Sequence, residues 1–286
     1  RFSKRDAEIY PAYGQAMMQM GRFVKPILAL TPPDPTSKNP AELWDLLQVG
    51  RRFAALSEEE RLLKLKMFTM SAVDFLDQWF ESDVLKATMS VSGIIGTFQG
   101  VRSPGTAYVL LHHYMGEIDG AFRSWGFSRG GTGQVSLAIA ASARHFGAEI
   151  RTEAPIEKIL VKDGSATGVV LGNGEEIAAK LVISSVDPHL TFLRMVGSEH
   201  LDDEFTASIR RYKLRGSSGK VNLALDRIPE FSCRPGVGPH LRGDVAISPS
   251  IDYLEKAYDQ AKYGEFSHRP FLDVVIPALG GPSVGP

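Results

Sequence analysis

Cysteine is nearly absent: Cys233 stands alone, which leaves no internal disulfide and no multi-cysteine metal centre. A reducing, cytoplasmic setting is the expectation that follows. No apolar run approaches the ~20 residues that span a bilayer. Charge of one sign is missing too. The 32 Lys and Arg residues stand against 33 Asp and Glu, for a formal net charge of -1, and this gives no electrostatic reason to bind nucleic acid or an anionic membrane. No complete G-x-G-x-x-G turn occurs: Gly131-x-Gly133 is followed by Ser136 where the third glycine belongs.

What the chain does have is an ordinary globular composition, 43% hydrophobic and 23% charged over 286 residues, enough for about two domains. The start at Arg1-Phe2-Ser3 and the end at Val284-Gly285-Pro286 both read as cuts through a longer polypeptide. The first hundred or so residues read as helical. Asn39-Pro40-Ala41-Glu42 supplies an N-cap, a proline at the first helical position and a capping glutamate, and Ser57-Glu58-Glu59-Glu60 repeats the capping pattern. Further short helices are expected over Ser71–Phe80 and Ser82–Ser92, and Thr31-Pro32-Pro33-Asp34-Pro35 reads as a stiff connector.

The middle changes character. Gly130-Gly131-Thr132-Gly133 leads into Gln134–Phe146, whose Val135, Leu137, Ala138, Ile139 and Ala141 predict a buried helix that stops at Gly147. Strands are expected at Ile156–Lys162, Thr167–Leu171 and Glu175–Ala178, joined by the turn pairs Asp163-Gly164 and Asn173-Gly174. Leu181–Val186 reads as a continuous apolar strand covered on both faces, and Lys220–Leu225 as a half-buried one. Val245–Ile247 and Asp273–Ile276 read as neighbouring strands around a helix at Ile251–Lys262. The fold class is therefore α/β (mixed α+β).

Candidate chemistry is sparse. The Gly130 turn entering a helix lets backbone N–H groups approach an anion, but without the third glycine a tight packing turn is the better reading. His113 and Glu117 at helical spacing lack the third ligand a metal site needs, and His112 and His113 read as surface or core-edge histidines. Glu117 with Asp119 has nothing to fix a separation for acid–base work. Cys233 beside Arg234 is a lone thiol. Tyr108, Tyr114, Phe122, Trp125 and Phe127 cluster near the Gly130 turn and suit either core or the wall of an apolar pocket. No self-contained catalytic set emerges.

An ordered series of motifs adds more. Ser103-Pro104-Gly105-Thr106-Ala107-Tyr108, Trp125–Gly133, Gly147-Ala148-Glu149-Ile150-Arg151-Thr152, Ile156–Val161, Gly168-Val169-Val170 and Ser184-Ser185-Val186-Asp187-Pro188 together resemble the bacterial phytoene-desaturase-like FAD-dependent oxidoreductases and their animal pyridine nucleotide-disulphide oxidoreductase relatives. Pro249–Leu254 and Ala261-Lys262-Tyr263-Gly264 fit the same group. The resemblance implies a flavin domain assembled from separated segments, with a substrate domain inserted between them. It divides the chain into 1–123, the helical part of the substrate domain; 124–195, a partial FAD-associated region; and 196–286, the remainder of the substrate domain. It places Ile156 at the adenine end of FAD, and Ser185, Val186, Asp187, Gly130 and Gly131 near the cofactor.

The implied function is oxidation or desaturation of an apolar small-molecule substrate by hydride transfer to the flavin, which itself carries the chemistry. No catalytic residue transfers by motif. The phosphate-gripping turn and the segment closing over the flavin ring are not in these residues, so the chain alone is expected to hold FAD weakly or not at all. Two other readings stand beside this one. A non-enzymatic module would use apolar helices around Val84–Ile95 to dock a membrane surface peripherally or a second copy as a homodimer; a redox-neutral isomerase would keep the flavin without net oxidation.

Overall fold

The computed structural model describes residues 3–280 except Ala29, Pro32, Pro33, Pro35, Arg123, Trp125, Phe127 and Ser217. The prolines of the expected connector and two of the five clustered aromatics thus lie outside the described residues. The chain divides into two compact units, Arg1–Gln134 with Gly216–Pro286, and Val135–Arg215.

The larger unit starts as a helical assembly: α1 (Lys4–Leu28), α2 (Pro40–Ala54), α3 (Glu58–Thr69), α4 (Ala72–Asp77), α5 (Asp83–Ser90) and α6 (Thr106–Tyr114). Local chemistry sets their starts. Asn39 accepts from the Ala41 amide with Pro40 at the first position of α2. At α3 the Ser57 hydroxyl accepts from the Glu60 amide while the Glu60 carboxylate accepts from the Ser57 amide, a complete capping box. Tyr13 of α1 is the hub of the core, edge-on to Trp79, Phe80 and Tyr114 at 5.5, 5.0 and 6.0 Å between ring centres. Around it pack Met17, Met20, Met67, Phe75, Leu76, Leu110 and Leu111, all but sealed from solvent.

Polar pins cross this core. Asp6, 3% exposed, accepts from the backbone amides of Glu81 and Ser82, tying the first turn of α1 to the start of α5. The buried Thr106 hydroxyl accepts from the Ala72 amide and donates to the Ser103 carbonyl, holding α4 to α6. By contrast α2 buries none of its residues, and Leu43, Trp44, Leu47 and Phe53 stay exposed.

The same unit continues through the two-residue strands β1 (Glu117–Ile118) and β2 (Ala121–Phe122), which form an antiparallel pair. In its later part β6 (Val245–Ile247) pairs antiparallel with β7 (Leu272–Val274), and α9 (Ile251–Lys262) lies between them in sequence, as expected. Ile251 and Leu254 join Val73, Ala87, Val91 and Val101 in a second apolar cluster, which anchors α9 on the helical part. Lys220–Leu225 forms no strand, and Val221, Leu223 and Leu225 are exposed. Its alternation is real, but among the described residues no strand pairs with it.

The smaller unit opens on α7, assigned Gly133–His145. Gly147 ends it with a left-handed φ of 87°, and the Ala148 amide returns to the Ala143 carbonyl. Next come β3 (Ile156–Lys162), β4 (Ser165–Leu171) and β5 (Glu176–Ala178), an antiparallel meander in the order β3-β4-β5. Asp163 and Gly164 both take positive φ at the first hairpin, as a tight turn between right-twisted strands requires. A nine-residue π-helix, His189–Gly197, packs on β3, and α8 (Asp203–Arg211) packs on that helix through Phe192 and Phe205. Ile159, Leu171 and Thr191 form the small buried centre.

Two expectations are corrected here. The helix α7 is not buried: Leu137 is 58% and Ile139 66% exposed, and no residue of the helix is buried. Leu181–Val186 is not a strand covered on both faces, since Ile183 is 86% exposed and the segment joins no ladder. A strand of that kind needs partner strands at its edges and a layer on each face; among the described residues it has neither.

Candidate functional site

Each expected cofactor residue has a defined local setting. Gly130 and Gly131 take φ of 79° and 86° just ahead of α7, a conformation that side chains with a Cβ rarely adopt. The Gly131 amide donates to Ser128 and the Gln134 amide to the Gly131 carbonyl, so two successive tight turns feed the helix. A Cβ on Gly131 would meet nothing within 4 Å. Turn geometry, rather than crowding, demands glycine there.

Ile156 is the first residue of β3, opposite Leu171 of β4 and partly exposed. Ser185, Val186 and Asp187 follow on the irregular segment that enters the π-helix. The Val186 amide donates to the Ser184 hydroxyl, which is itself 2.8 Å from the Thr191 hydroxyl. The Asp187 carboxylate accepts from the Leu190 amide at 2.9 Å, and its carbonyl accepts from Thr191. Asp187 therefore already receives two backbone amides at the entry to the π-helix. Ile156 and Ser185–Asp187 belong to the smaller unit; Gly130 and Gly131 belong to the larger.

The rejected chemistry stays scattered. α6 ends at Tyr114, so Glu117 does not follow His113 on a helix face; its carboxylate pairs with Lys25 instead. Burial first, and the neighbouring His112 second, hold His113 below the ordinary imidazole value, against a hydrogen bond with the Ile95 backbone. Among the described residues no group of three or more His, Cys, Asp or Glu is placed to hold a metal ion, and no helix is long and apolar enough to cross a membrane. Cys233 is exposed. Of the clustered aromatics, Tyr114 belongs to the core and Tyr108 stacks on Phe68 at 5.1 Å.

Two clefts are described, both in the larger unit. One, ≈ 430 Å³, is lined by Arg5, Glu8, Ile9, Leu63, Gln78 and Trp79. The other, ≈ 340 Å³, runs along α9, where Asp252, Tyr253, Lys256 and Gln260 face His268 and Arg269. Sequence reasoning passed over this second site. Its signal was the helical spacing 253, 256, 260 followed closely by two more basic residues, which charge counting over the whole chain averages away. Neither cleft contains any expected cofactor residue. At the expected positions the described residues offer two glycine turns, the first residue of a strand and an irregular segment, and the Asp187 carboxylate already accepts a backbone amide.

Comparison with known proteins gives a consistent picture. The family model described as flavin containing amine oxidoreductase matches residues 15–259. Over its whole length the chain is 33% identical to pyridine nucleotide-disulfide oxidoreductase domain-containing protein 2 of Rattus norvegicus, covering 52% of that protein. It is 32% identical over 113 residues to prolycopene isomerase 2, chloroplastic, of an Oncidium hybrid cultivar, covering 39% of this chain and 18% of that one. A zeta-carotene-forming phytoene desaturase of Myxococcus xanthus is 26% identical over 192 residues, 64% of this chain and 35% of its own. The chain thus spans about half the length of the rat relative. No solved structure matches it.

Proposed function

This chain belongs to the flavin containing amine oxidoreductase family, and from that membership we propose that it is part of an FAD-dependent oxidoreductase that desaturates or oxidises an apolar substrate. When bound, the flavin supplies the hydride acceptor. The chain's own residues contribute the substrate-side body and an incomplete wall of the cofactor domain. In this reading 1–123 and 196–286 build the substrate part, 124–195 returns to the flavin domain, and Ile156, Ser185–Asp187, Gly130 and Gly131 lie along the cofactor.

The observation that carries the proposal is the bare apolar surface of the smaller unit. α7 leaves Val135, Leu137 and Ile139 open, and Leu181 and Ile183 stand out from an unpaired segment. A helix apolar on more than one side and an apolar segment of this kind are what a dinucleotide-binding sheet and its neighbours would cover. The relatives' printed names, desaturase and isomerase, support an apolar substrate.

The chain expressed alone is expected to purify colourless, whereas the full-length protein is expected to carry flavin absorbance near one per chain. Stoichiometric flavin on the 286-residue chain by itself would overturn the incomplete-wall reading. The isomerase similarity supports a second outcome, a redox-neutral reaction. Anaerobic turnover without an added electron acceptor separates the two, because net desaturation stops once the flavin is reduced and isomerisation continues.

A further inference from the structure

The cleft along α9 carries a charge imbalance that nothing in the flavin reading uses. Three hydrogen bonds lash residues 267–270 to the helix. The Ser267 hydroxyl donates to the Ala257 carbonyl at 2.5 Å, the His268 amide to Gln260 Oε1 at 2.8 Å, and the Tyr253 hydroxyl to the Pro270 carbonyl at 2.9 Å. This strap presents His268 and Arg269 to the cleft that Lys256 also lines.

Of the three acids of α9 only Asp252 lines the cleft, and each of the three already has a partner. Asp252 bonds the Arg102 guanidinium at 3.0 Å, Glu255 accepts from the Arg102 amide at 3.0 Å, and Asp259 pairs with Lys262 at 2.7 Å. Glu265 does not line the cleft. Lys256 and Arg269 are left with no ion-pair or hydrogen-bond partner among the described residues. The one carboxylate that shares the cleft with them, Asp252, is already paired with Arg102, and an anion arriving between the two unpaired cations relieves their repulsion.

We propose that this cleft binds the phosphate group of a small phosphorylated molecule, with Lys256, Arg269 and His268 as its donors. A phosphate dianion matches the two permanent cations in charge. It also offers oxygens to a guanidinium fork, an ammonium and an imidazole at the same time. The cleft volume of ≈ 340 Å³ leaves room for a further group attached to the phosphate. The proposal is independent of the flavin.

Pyrophosphate and inorganic phosphate titrated into the 286-residue chain by calorimetry test it, alongside flotation with phosphatidylcholine vesicles with and without phosphatidate. Saturable one-to-one binding of pyrophosphate without flotation identifies a soluble phosphorylated ligand, and phosphatidate-dependent flotation identifies a lipid headgroup as the phosphate source. Lys256→Met and Arg269→Met should each weaken binding about tenfold, while Lys256→Arg should retain it, with folding checked by circular dichroism. If the methionine variants fail to fold, protection of Lys256 from amine acetylation by pyrophosphate provides the readout in the unaltered chain. Absence of both binding and protection, or binding indifferent to both substitutions, overturns the proposal.

Discussion

At the scale of single residues, the structure sets burial against charge in two places. Lys64 is only 6% exposed, with its ammonium 4.6 Å from the centre of the Phe23 ring. Burial pulls its pKa below the ordinary lysine value, and Glu60 pulls the other way. The unfolded chain therefore binds the proton more readily between the two values, so stability rises as pH climbs toward 10.5. Lys64→Met should raise stability at neutral pH by about 1 kcal/mol, the relief of a buried charge less the lost ring contact, and should remove that alkaline rise in denaturant melts. His113 works the same way at the acid side. Its lowered pKa keeps it neutral when folded, so its contribution is complete above the ordinary value of 6.5 and is lost as pH falls through it. His113→Gln should flatten the fall in thermal midpoint between about pH 6.5 and pH 5; an unchanged slope assigns the acid sensitivity to other groups.

At the scale of elements, local signals were legible and coverage was not. Ser57 with Glu60, Asn39 with Pro40, Asp163-Gly164, Gly147 and the whole of α9 declare themselves within a few residues, because caps and turns are satisfied by their own neighbours. α7 and Leu181–Val186 look like core in sequence, since an apolar run says only that something should cover it. What covers it is a non-local fact. Lys220–Leu225 fails for the same reason: alternation predicts a strand, but a strand requires a partner. The expected cofactor residues fall on two glycine turns, the first residue of β3 and an irregular segment, while the cleft along α9 went unread because its members come from a helix and a separate strap. The exposed apolar residues of α7 yield a prediction of their own. Leu137→Lys with Ile139→Lys should make the isolated chain more soluble by at least a few-fold in light scattering, since large open apolar patches drive association. In the full-length protein the same pair should cost flavin occupancy. An isolated chain equally soluble with and without these lysines would mean that α7 is not the sticky element.

At the scale of the whole molecule, the two units differ in what they finish. The larger closes two apolar clusters around Tyr13 and around Ile251 and Leu254. The smaller buries little beyond Ile159, Leu171 and Thr191. On this basis the larger unit should resist proteolysis longer than the smaller one when the chain is studied alone, and bound flavin in the full-length protein should narrow the gap. The Asp6 clasp adds a constraint in time. Its carboxylate must wait for amides 75 and 76 residues further on. At ribosomal rates that delay is about 4–15 s, during which α1 has been made but its clasp has not. Among these residues α1 therefore completes its clasp only after the start of α5 has been made, and anything that shields the nascent chain must cover α1 for that interval.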